Sequence, residues 1–140
     1  ARVYALDVGL LQLDLRLRSN SRVVVMERVN ARYPFALPEP VDLAAVAGAF
    51  ISLTRVLLPT AAHLKPGGCV VALVKPQFEA ERGEVGRGGV VRYPALHARM
   101  VGRMCLWGIG RGWRVIGVVA SPIPGDAGNR EFFVLFRTGC

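Results

Sequence analysis

Lys75 is the residue in this sequence best suited to proton-transfer chemistry. The 140 residues include 18 lysines and arginines, of which only Lys65 and Lys75 are lysines. Arginine stays protonated in proteins, whereas a partly desolvated lysine can lose its proton and act as a base. Lys75 could therefore perform chemistry that an arginine could not. The alternative is an ordinary strand-end cation whose ammonium group extends into water.

The residues before Lys75 predict where that chemistry would take place. Residues 68–74 form an apolar run (GCVVALV), as expected of a strand buried on both faces of a parallel sheet. Binding and catalytic sites of open α/β sheets lie at the carboxyl ends of such strands. Lys75 is thus expected at the edge of the sheet where a site would form.

The remaining patterns predict an α/β fold. Strands are expected at residues 3–7, 22–26, 41–46, 113–121 and 131–136, and helices at 10–17, 50–64 and 94–110. Residues 30–40 are proline-rich and 81–92 glycine-rich, so both are expected to be loops. The second is expected to be a mobile surface loop, with phosphate contact as the alternative. Strands that alternate with helices and end in a hairpin favour a doubly wound, mostly parallel sheet with a terminal antiparallel pair.

Composition limits the class of function. The net charge of +8 favours an anionic partner such as nucleic acid. Cys69, Cys105 and Cys140 are widely spaced and have no CxxC pair, so neither a disulfide framework nor a metal site is indicated. No apolar run reaches the roughly 18 residues needed to cross a bilayer. We expect a soluble, cytoplasmic protein.

Six segments resemble those of a known family in both order and spacing. The chain is similar to the TlyA/hemolysin A family of FtsJ-like, S-adenosylmethionine-dependent ribosomal RNA 2′-O-methyltransferases. The resemblance spans nearly the whole sequence and implies a Rossmann-like class I methyltransferase sheet. It rests on residues 4–9 (YALDVG), 50–53 (FISL), 64–68 (LKPGG), 71–79 (VALVKPQFE), 88–92 (GGVVR) and 128–132 (GNREF).

The resemblance assigns cofactor-binding roles to two residues. Asp7 matches the acid that binds the ribose of S-adenosylmethionine, because a carboxylate accepts two hydrogen bonds from a vicinal diol. Asn30 lies in the loop that borders the adenine. Each residue also has an ordinary alternative role, since acids and asparagines at strand ends start turns.

It also assigns catalytic roles to Lys75 and Glu131. Family members use a Lys-Asp-Lys-Glu tetrad, in which Lys75 matches the base for the 2′-hydroxyl and Glu131 the closing glutamate. The first lysine lies before Ala1, and Ala47 stands in the place of the aspartate. Because a charged group is lost, the rate could fall by roughly two orders of magnitude or more. The alternative function is therefore a noncatalytic RNA-binding remnant.

The family also implies how the chain is organised. Residues 1–140 are expected to be part of a methyltransferase domain that lacks the S4 RNA-binding domain, the Gly-rich cofactor loop and the first strand. The strands at 3–7 and 41–46 would then pair directly, or the chain would be poorly soluble. Ribosomal RNA or a ribosomal subunit is the expected partner. The name hemolysin suggests pore formation, which the absence of a convincing membrane helix disfavours.

Overall fold

A computed structural model describes residues 1–9, 13–48 and 51–139 of the chain. It divides into two compact units, Ala1–Leu37 and Pro38–Cys140. Each unit contains its own sheet, the first of two strands and the second of four. Among the described residues, no helix combines the length and apolar character that a membrane crossing requires.

The first unit is a parallel strand pair with a short connecting helix. Strand β1 (Val3–Asp7) pairs in parallel with β2 (Val23–Glu27), and helix α1 (Leu15–Arg18) lies between them in sequence. Asp14 caps α1 by accepting a hydrogen bond from the Arg16 N–H at 2.8 Å, so the helix starts later than the pattern at 10–17 predicted. Residues 10–12 of that predicted helix lie outside the described residues.

The second unit is a mixed sheet with the strand order β3-β4-β6-β5. Strand β3 (Val41–Val46) runs parallel to β4 (Leu64–Val74), whereas β6 (Phe132–Arg137) is antiparallel to both β4 and β5 (Arg114–Ala120). The predicted fold class, an α/β fold with parallel strands and a terminal antiparallel hairpin, is confirmed.

The family's strand order led to the expectation that β1 and β3 would pair directly or that the chain would be poorly soluble; the pairs that the structure describes lie within each unit. The hydrogen-bonded neighbour of β1 is β2, and that of β3 is β4. The apolar patterns of β1 and β3 predicted both strands correctly but did not determine which strands each would pair with.

Three helices accompany the four-stranded sheet: α2 (Thr54–Ala61), α3 (Pro76–Glu79) and α4 (Pro94–Gly110). Helix α4 begins at a proline, which is favourable in the first turn because that position needs no N–H donor. Helix α2 contains Pro59 and ends two residues later, before the end at residue 64 that the pattern predicted. Sequence patterns did not predict α3, because four residues are too few to show helical periodicity.

The core lies between one face of this sheet and helices α2 and α4. Val70, Ala72 and Val74 alternate along β4 and are fully buried, as are Val134 and Phe136 on β6. Leu57 of α2 and Met104 of α4 belong to the same cluster, together with Trp113, whose ring meets the Phe136 ring edge-on at 5.5 Å. Burying these side chains is the main stabilising contribution that the structure shows.

Gly108 sets the distance between α4 and the sheet. It is buried, and a Cβ atom at this position would overlap the ring of Phe136. A residue with a side chain would push the helix away from a fully buried aromatic ring.

We therefore expect Gly108→Ala to lower the free energy of unfolding by about 1–3 kcal/mol through overpacking. Gly102→Ala in the same helix is the matched control, because a Cβ there meets no atom within 4 Å. Replacing that glycine should leave stability unchanged or raise it by up to about 1 kcal/mol. Urea denaturation followed by circular dichroism measures both values, and equal effects would contradict the proposed contact.

Candidate active site

Lys75 lies at the edge of the sheet where the parallel strands end. It follows the fully buried Val74, has an extended backbone (φ −110°, ψ 101°) and is itself half-buried. Pro76 begins α3 directly afterwards and favours this extended conformation in the residue before it. Because β3 is parallel to β4, residues 47 and 48 lie at the same edge. Lys75 therefore lies at the edge of the sheet where the sequence predicted it.

Glu131 lies opposite Lys75 across the β4–β6 pair. The last paired residues are Val74 and Phe132, so Lys75 and Glu131 occupy the next positions of this antiparallel register. Directly opposite residues of an antiparallel pair lie on the same face of the sheet. Glu131 is only 7% exposed. The register thus places the two residues predicted to be catalytic at the same end of the β4–β6 pair, and their catalytic roles stay predictions.

The carboxylate of Glu131 is held by Gln77, a residue that the sequence analysis missed. Gln77 Nε2 donates a hydrogen bond to Glu131 Oε2 at 3.1 Å. The same oxygen lies against Gly125, where any Cβ atom would overlap it. In the described part of the chain, neither Glu131 nor Lys75 takes part in an ion pair. The signal that could have identified Gln77 is its position between Lys75 and Glu79, in one of the segments that resemble the family.

Glu79 connects the segment after β4 to the segment after β3. Its carboxylate oxygens accept hydrogen bonds from Ser52 Oγ and from the Leu53 N–H, both at 2.8 Å. A carboxylate at this place is also favoured by the unpaired N–H groups at the start of α2. Glu79 therefore fixes α3, and with it the residues after Lys75, to the start of α2.

Ala47 follows β3 at this same edge and is exposed. An alanine there provides neither a charge nor a hydrogen-bonding group, so the edge lacks the acid that the family pattern has at this position.

The glycine-rich segment is attached to the site by Asn129. Asn129 is 2% exposed; its Oδ1 accepts the Val91 N–H at 2.9 Å, and its Nδ2 donates to the Gly89 carbonyl at 2.8 Å. Val91 is also buried, and its carbonyl lies 2.7 Å from His97 Nε2 of α4. The segment was expected to be a mobile surface loop, but its carboxyl end is packed and hydrogen-bonded two residues from Glu131.

The two predicted cofactor residues belong to the first unit. Asp7 ends β1, accepts the Gly9 N–H on Oδ1 at 2.9 Å and lines a cavity of about 50 Å³ together with Glu27 and four apolar residues. Asn30 Oδ1 accepts the Arg32 N–H at 3.1 Å. Both side chains thus make the local turns that were the alternative interpretation. Their cofactor roles remain predictions.

A larger cavity of about 460 Å³ lies in the second unit, beside α2 and α4. Neither Lys75 nor Glu131 lines it. Its lining residues are Ser52, Thr54, Glu79, Met100, Arg103, Met104, Leu106 and Trp107. Ser52 and Glu79 link this cavity to the edge that carries the candidate catalytic residues, although those two residues do not line it.

Comparison with known proteins defines the class to which this fold belongs. The NodS N-methyltransferase from Bradyrhizobium japonicum, solved with S-adenosyl-L-homocysteine, has a similar fold over 98% of this chain and 66% of its own, at a TM-score of 0.63 and 15% identity. The fold is that of a methyltransferase. The profile of the FtsJ-like methyltransferase family matches residues 1–138, and the chain belongs to this family.

Two relatives are much more similar. The 16S/23S rRNA (cytidine-2′-O)-methyltransferase TlyA from Mycobacterium tuberculosis is 46% identical over 140 residues, which are 99% of this chain and 52% of the relative. A solved structure described as a putative hemolysin from Streptococcus thermophilus is 40% identical, with a TM-score of 0.91 over 99% of this chain and 51% of that one. The chain therefore spans about half the length of these relatives.

The hydrogen bonds of Asn129 predict that removing its side chain will lower the stability of the fold. Asn129→Ala leaves the buried Val91 N–H and the Gly89 carbonyl without this partner, so we expect a loss of about 1–3 kcal/mol in the free energy of unfolding. The Val91 amide should also exchange its hydrogen faster.

Ser121→Ala serves as the control, because its hydroxyl makes only exposed turn hydrogen bonds, one to the Ile123 carbonyl and one from the Ile123 N–H. That change should cost at most about 0.5 kcal/mol. Urea denaturation and hydrogen exchange measure both variants, and unchanged protection of Val91 in Asn129→Ala would show that the segment does not depend on Asn129.

Proposed function

We propose that this chain supplies the catalytic domain for S-adenosylmethionine-dependent 2′-O-methylation of ribose in ribosomal RNA. The observation that carries the proposal is the opposition of Lys75 and Glu131 at the carboxyl edge of the parallel strands. The membership of the FtsJ-like family and the activity named for TlyA support it. This activity also implies a cytoplasmic location, which is part of the proposal.

Lys75 acts as the general base in this proposal. A 2′-hydroxyl must lose its proton as its oxygen acquires a methyl group, and the neutral amine of a half-buried lysine can take that proton. S-adenosylmethionine, when bound, supplies an electrophilic methyl group. Glu131 lies opposite and accepts the Gln77 amide, so its negative charge is fixed where it favours the ammonium that Lys75 becomes.

The surface around this edge supports an anionic substrate. The two segments that Asn129 connects carry four exposed arginines: Arg82, Arg87, Arg92 and Arg130. In the described residues none of these four makes an ion pair. Guanidinium groups that have no protein partner can bind phosphate oxygens in a bidentate manner. We propose that they contact the RNA backbone close to the target ribose.

Asp7 and Asn30 are the proposed cofactor residues. A carboxylate at the end of β1 suits a ribose diol, because it accepts hydrogen bonds from both hydroxyl groups. The bond that Asp7 accepts from Gly9 uses one oxygen and orients the side chain. Asn30 is proposed to border the adenine.

Ala47 favours a second candidate, a noncatalytic RNA-binding module. Without an acid at this position the edge lacks one charged member of the family's tetrad, although Lys75, Glu131 and the exposed arginines are present. Such a module would bind RNA and transfer no methyl group.

Cofactor binding tests the role of Asp7. Asparagine can still accept the Gly9 N–H, so Asp7→Asn keeps the turn and removes only the charge and one strong acceptor. We expect the affinity for S-adenosylmethionine to fall about tenfold. Isothermal titration calorimetry measures this value. Asp42→Asn, which removes a surface acid paired with Lys65 at 3.0 Å, should leave it unchanged. Equal affinities in all three proteins would exclude Asp7 from the cofactor site.

Restoring the acid tests the catalytic assignment. In a full-length protein, Ala47→Asp should raise methyl transfer to ribosomal RNA by about 100-fold, because a carboxylate returns to the edge that carries Lys75. Ala62→Asp is the control: it adds the same charge after α2 and should give no gain. Transfer of radiolabelled methyl groups measures the rates. No gain in Ala47→Asp would contradict the assignment, and undiminished activity in Lys75→Met would exclude the lysine as base.

A further inference from the structure

The cavity beside α2 and α4 has the size of a ligand site and is accessible from solvent. Its volume is about 460 Å³, and pockets for small ligands have volumes of roughly 300–1,000 Å³. Of the residues that line it, Leu106 is 68% exposed and Arg103 is also exposed. A molecule in solution can therefore reach its walls.

One wall of this cavity is apolar and contains an aromatic ring. The apolar residues that line it belong to α4: Met100, Met104, Leu106 and Trp107. The Trp107 ring meets the Trp113 ring edge-on, with 5.4 Å between the centroids, and the Arg111 guanidinium lies 5.0 Å from the Trp107 centroid. These two neighbours hold the indole in place. Trp107 is therefore a rigid contact surface for a planar ligand.

Arg103 gives the same cavity a positive charge that no protein carboxylate neutralises. In the part of the chain that the structure describes, Arg103 forms no ion pair, and its Nη1 lies 3.9 Å from the weakly accepting sulfur of Met100. One turn earlier on α4, Arg99 pairs with Glu84 at 2.7 Å. Arg103 thus has N–H donors available for an anionic group of a ligand.

Polar residues from other elements line the cavity as well. The Ser52 hydroxyl donates to Glu79 Oε2 and the Leu53 N–H donates to Glu79 Oε1, both at 2.8 Å. Each carboxylate oxygen has two lone pairs, so each can accept one further hydrogen bond. Because the charge of Glu79 repels an anion, the anionic group of a ligand is favoured at Arg103 and its N–H donors at Glu79.

A nucleotide combines the groups that this cavity can bind. Its base has two apolar faces and N–H donors on its edge, and it is attached to a phosphate. The faces suit Trp107, the donors suit the Glu79 carboxylate, and the phosphate suits Arg103. A purely apolar ligand would leave both charges without a partner, and a simple anion would leave the apolar wall uncovered.

The position of the cavity favours RNA as the source of that nucleotide. Glu79 lines the cavity and ends α3, the helix that begins directly after Lys75. Ser52, its hydrogen-bond partner, follows β3, which ends at the same edge of the sheet. An RNA strand whose target ribose lies at Lys75 can therefore place a neighbouring nucleotide in the cavity. The net charge of +8 favours the same polyanion.

We propose that this cavity binds a nucleotide of the substrate RNA close to the target ribose, an inference that rests on the proposed function. The base contacts Trp107, and its phosphate accepts hydrogen bonds from the Arg103 guanidinium. Contacts between a base and an aromatic ring tolerate any base, because every base has a π face. The cavity thus adds affinity and fixes the path of the strand.

Trp107 provides the readout for a test. The sequence contains two tryptophans, so Trp113→Phe leaves Trp107 as the only fluorophore of its kind and keeps an aromatic ring in the core. We expect a single-stranded oligoribonucleotide of mixed sequence to quench the fluorescence of Trp107, because a base then contacts the indole. Should this variant not fold, quenching in the unmodified chain measures the same contact, since Trp113 is buried.

Two arginine variants test the phosphate contact. Arg103→Gln should weaken binding of the oligoribonucleotide about tenfold and reduce the slope of log Kd against log salt concentration by about one. Arg99→Gln is the matched control, because it removes the same charge from the same helix at a residue already paired with Glu84. It should change the affinity by less than about twofold. Equal effects of the two changes would overturn the proposal.

Two further ligands identify what the cavity binds. Heparin carries dense negative charge and no bases, so quenching of Trp107 by heparin would show an anion site and overturn the base contact. Adenosine 5′-monophosphate represents the free nucleotide; if it binds as tightly as the oligoribonucleotide, the assignment to an RNA strand is overturned. An oligoribonucleotide that binds the chain and leaves Trp107 unquenched overturns the proposal outright.

Methyl transfer and cofactor binding separate this inference from the proposed function. Absence of both methyl transfer to ribosomal RNA and binding of S-adenosylmethionine counts against the proposed function. If a full-length protein transfers methyl groups equally well with and without Arg103→Gln at limiting RNA, the proposed function stands and the cavity loses its role.

Discussion

The antiparallel pairing of β4 with β6 is the interaction on which the second unit depends. The paired residues run without a shift in register from Cys69 opposite Arg137 to Val74 opposite Phe132. A slip of one residue would turn the buried valines of one strand toward the opposite face. The same slip would remove Glu131 from its position opposite Lys75. The register that forms the core is therefore also the register that forms the candidate active site.

Side-chain hydrogen bonds also hold together the segments around the candidate active site. Glu79, Asn129 and Gln77 each connect a segment at the carboxyl edge to another that is distant in sequence. Gln77 differs from the other two because it holds a buried acid with a neutral group, although the chain has 16 arginines. A guanidinium group would neutralise Glu131. An amide leaves its negative charge available to Lys75.

The sequence predicted the elements better than their assembly. Apolar runs identified all six strands, and Pro94 and Gly110 marked both ends of α4. These features are local, since each depends on a few neighbouring residues. The insertion of β6 between β4 and β5 and the separate β1–β2 sheet depend on pairing between distant segments, which no local pattern reports.

The candidate site shows the same contrast between features that local sequence predicts and features that depend on distant contacts. Lys75 and Glu131 were predicted from their positions in motifs that resemble those of the family, and the register places both at the same end of the β4–β6 pair. Gln77 and Asn129 were missed because amide side chains are common in turns and on surfaces, and the sequence does not show which groups they bind. The partner of Asn129 lies 38 residues away along the chain, beyond the reach of any periodicity.

The position of β6 has a consequence for folding during synthesis. About 60 residues separate Val74 from its partner Phe132, so the ribosome releases β4 with one edge unpaired. At roughly 5–20 residues per second, that edge stays open for several seconds before the last strand can dock. During this interval an exposed apolar strand can pair with other nascent chains. Glu131 is synthesised just before β6, long after Lys75. The candidate active site is therefore among the last parts of the second unit to form.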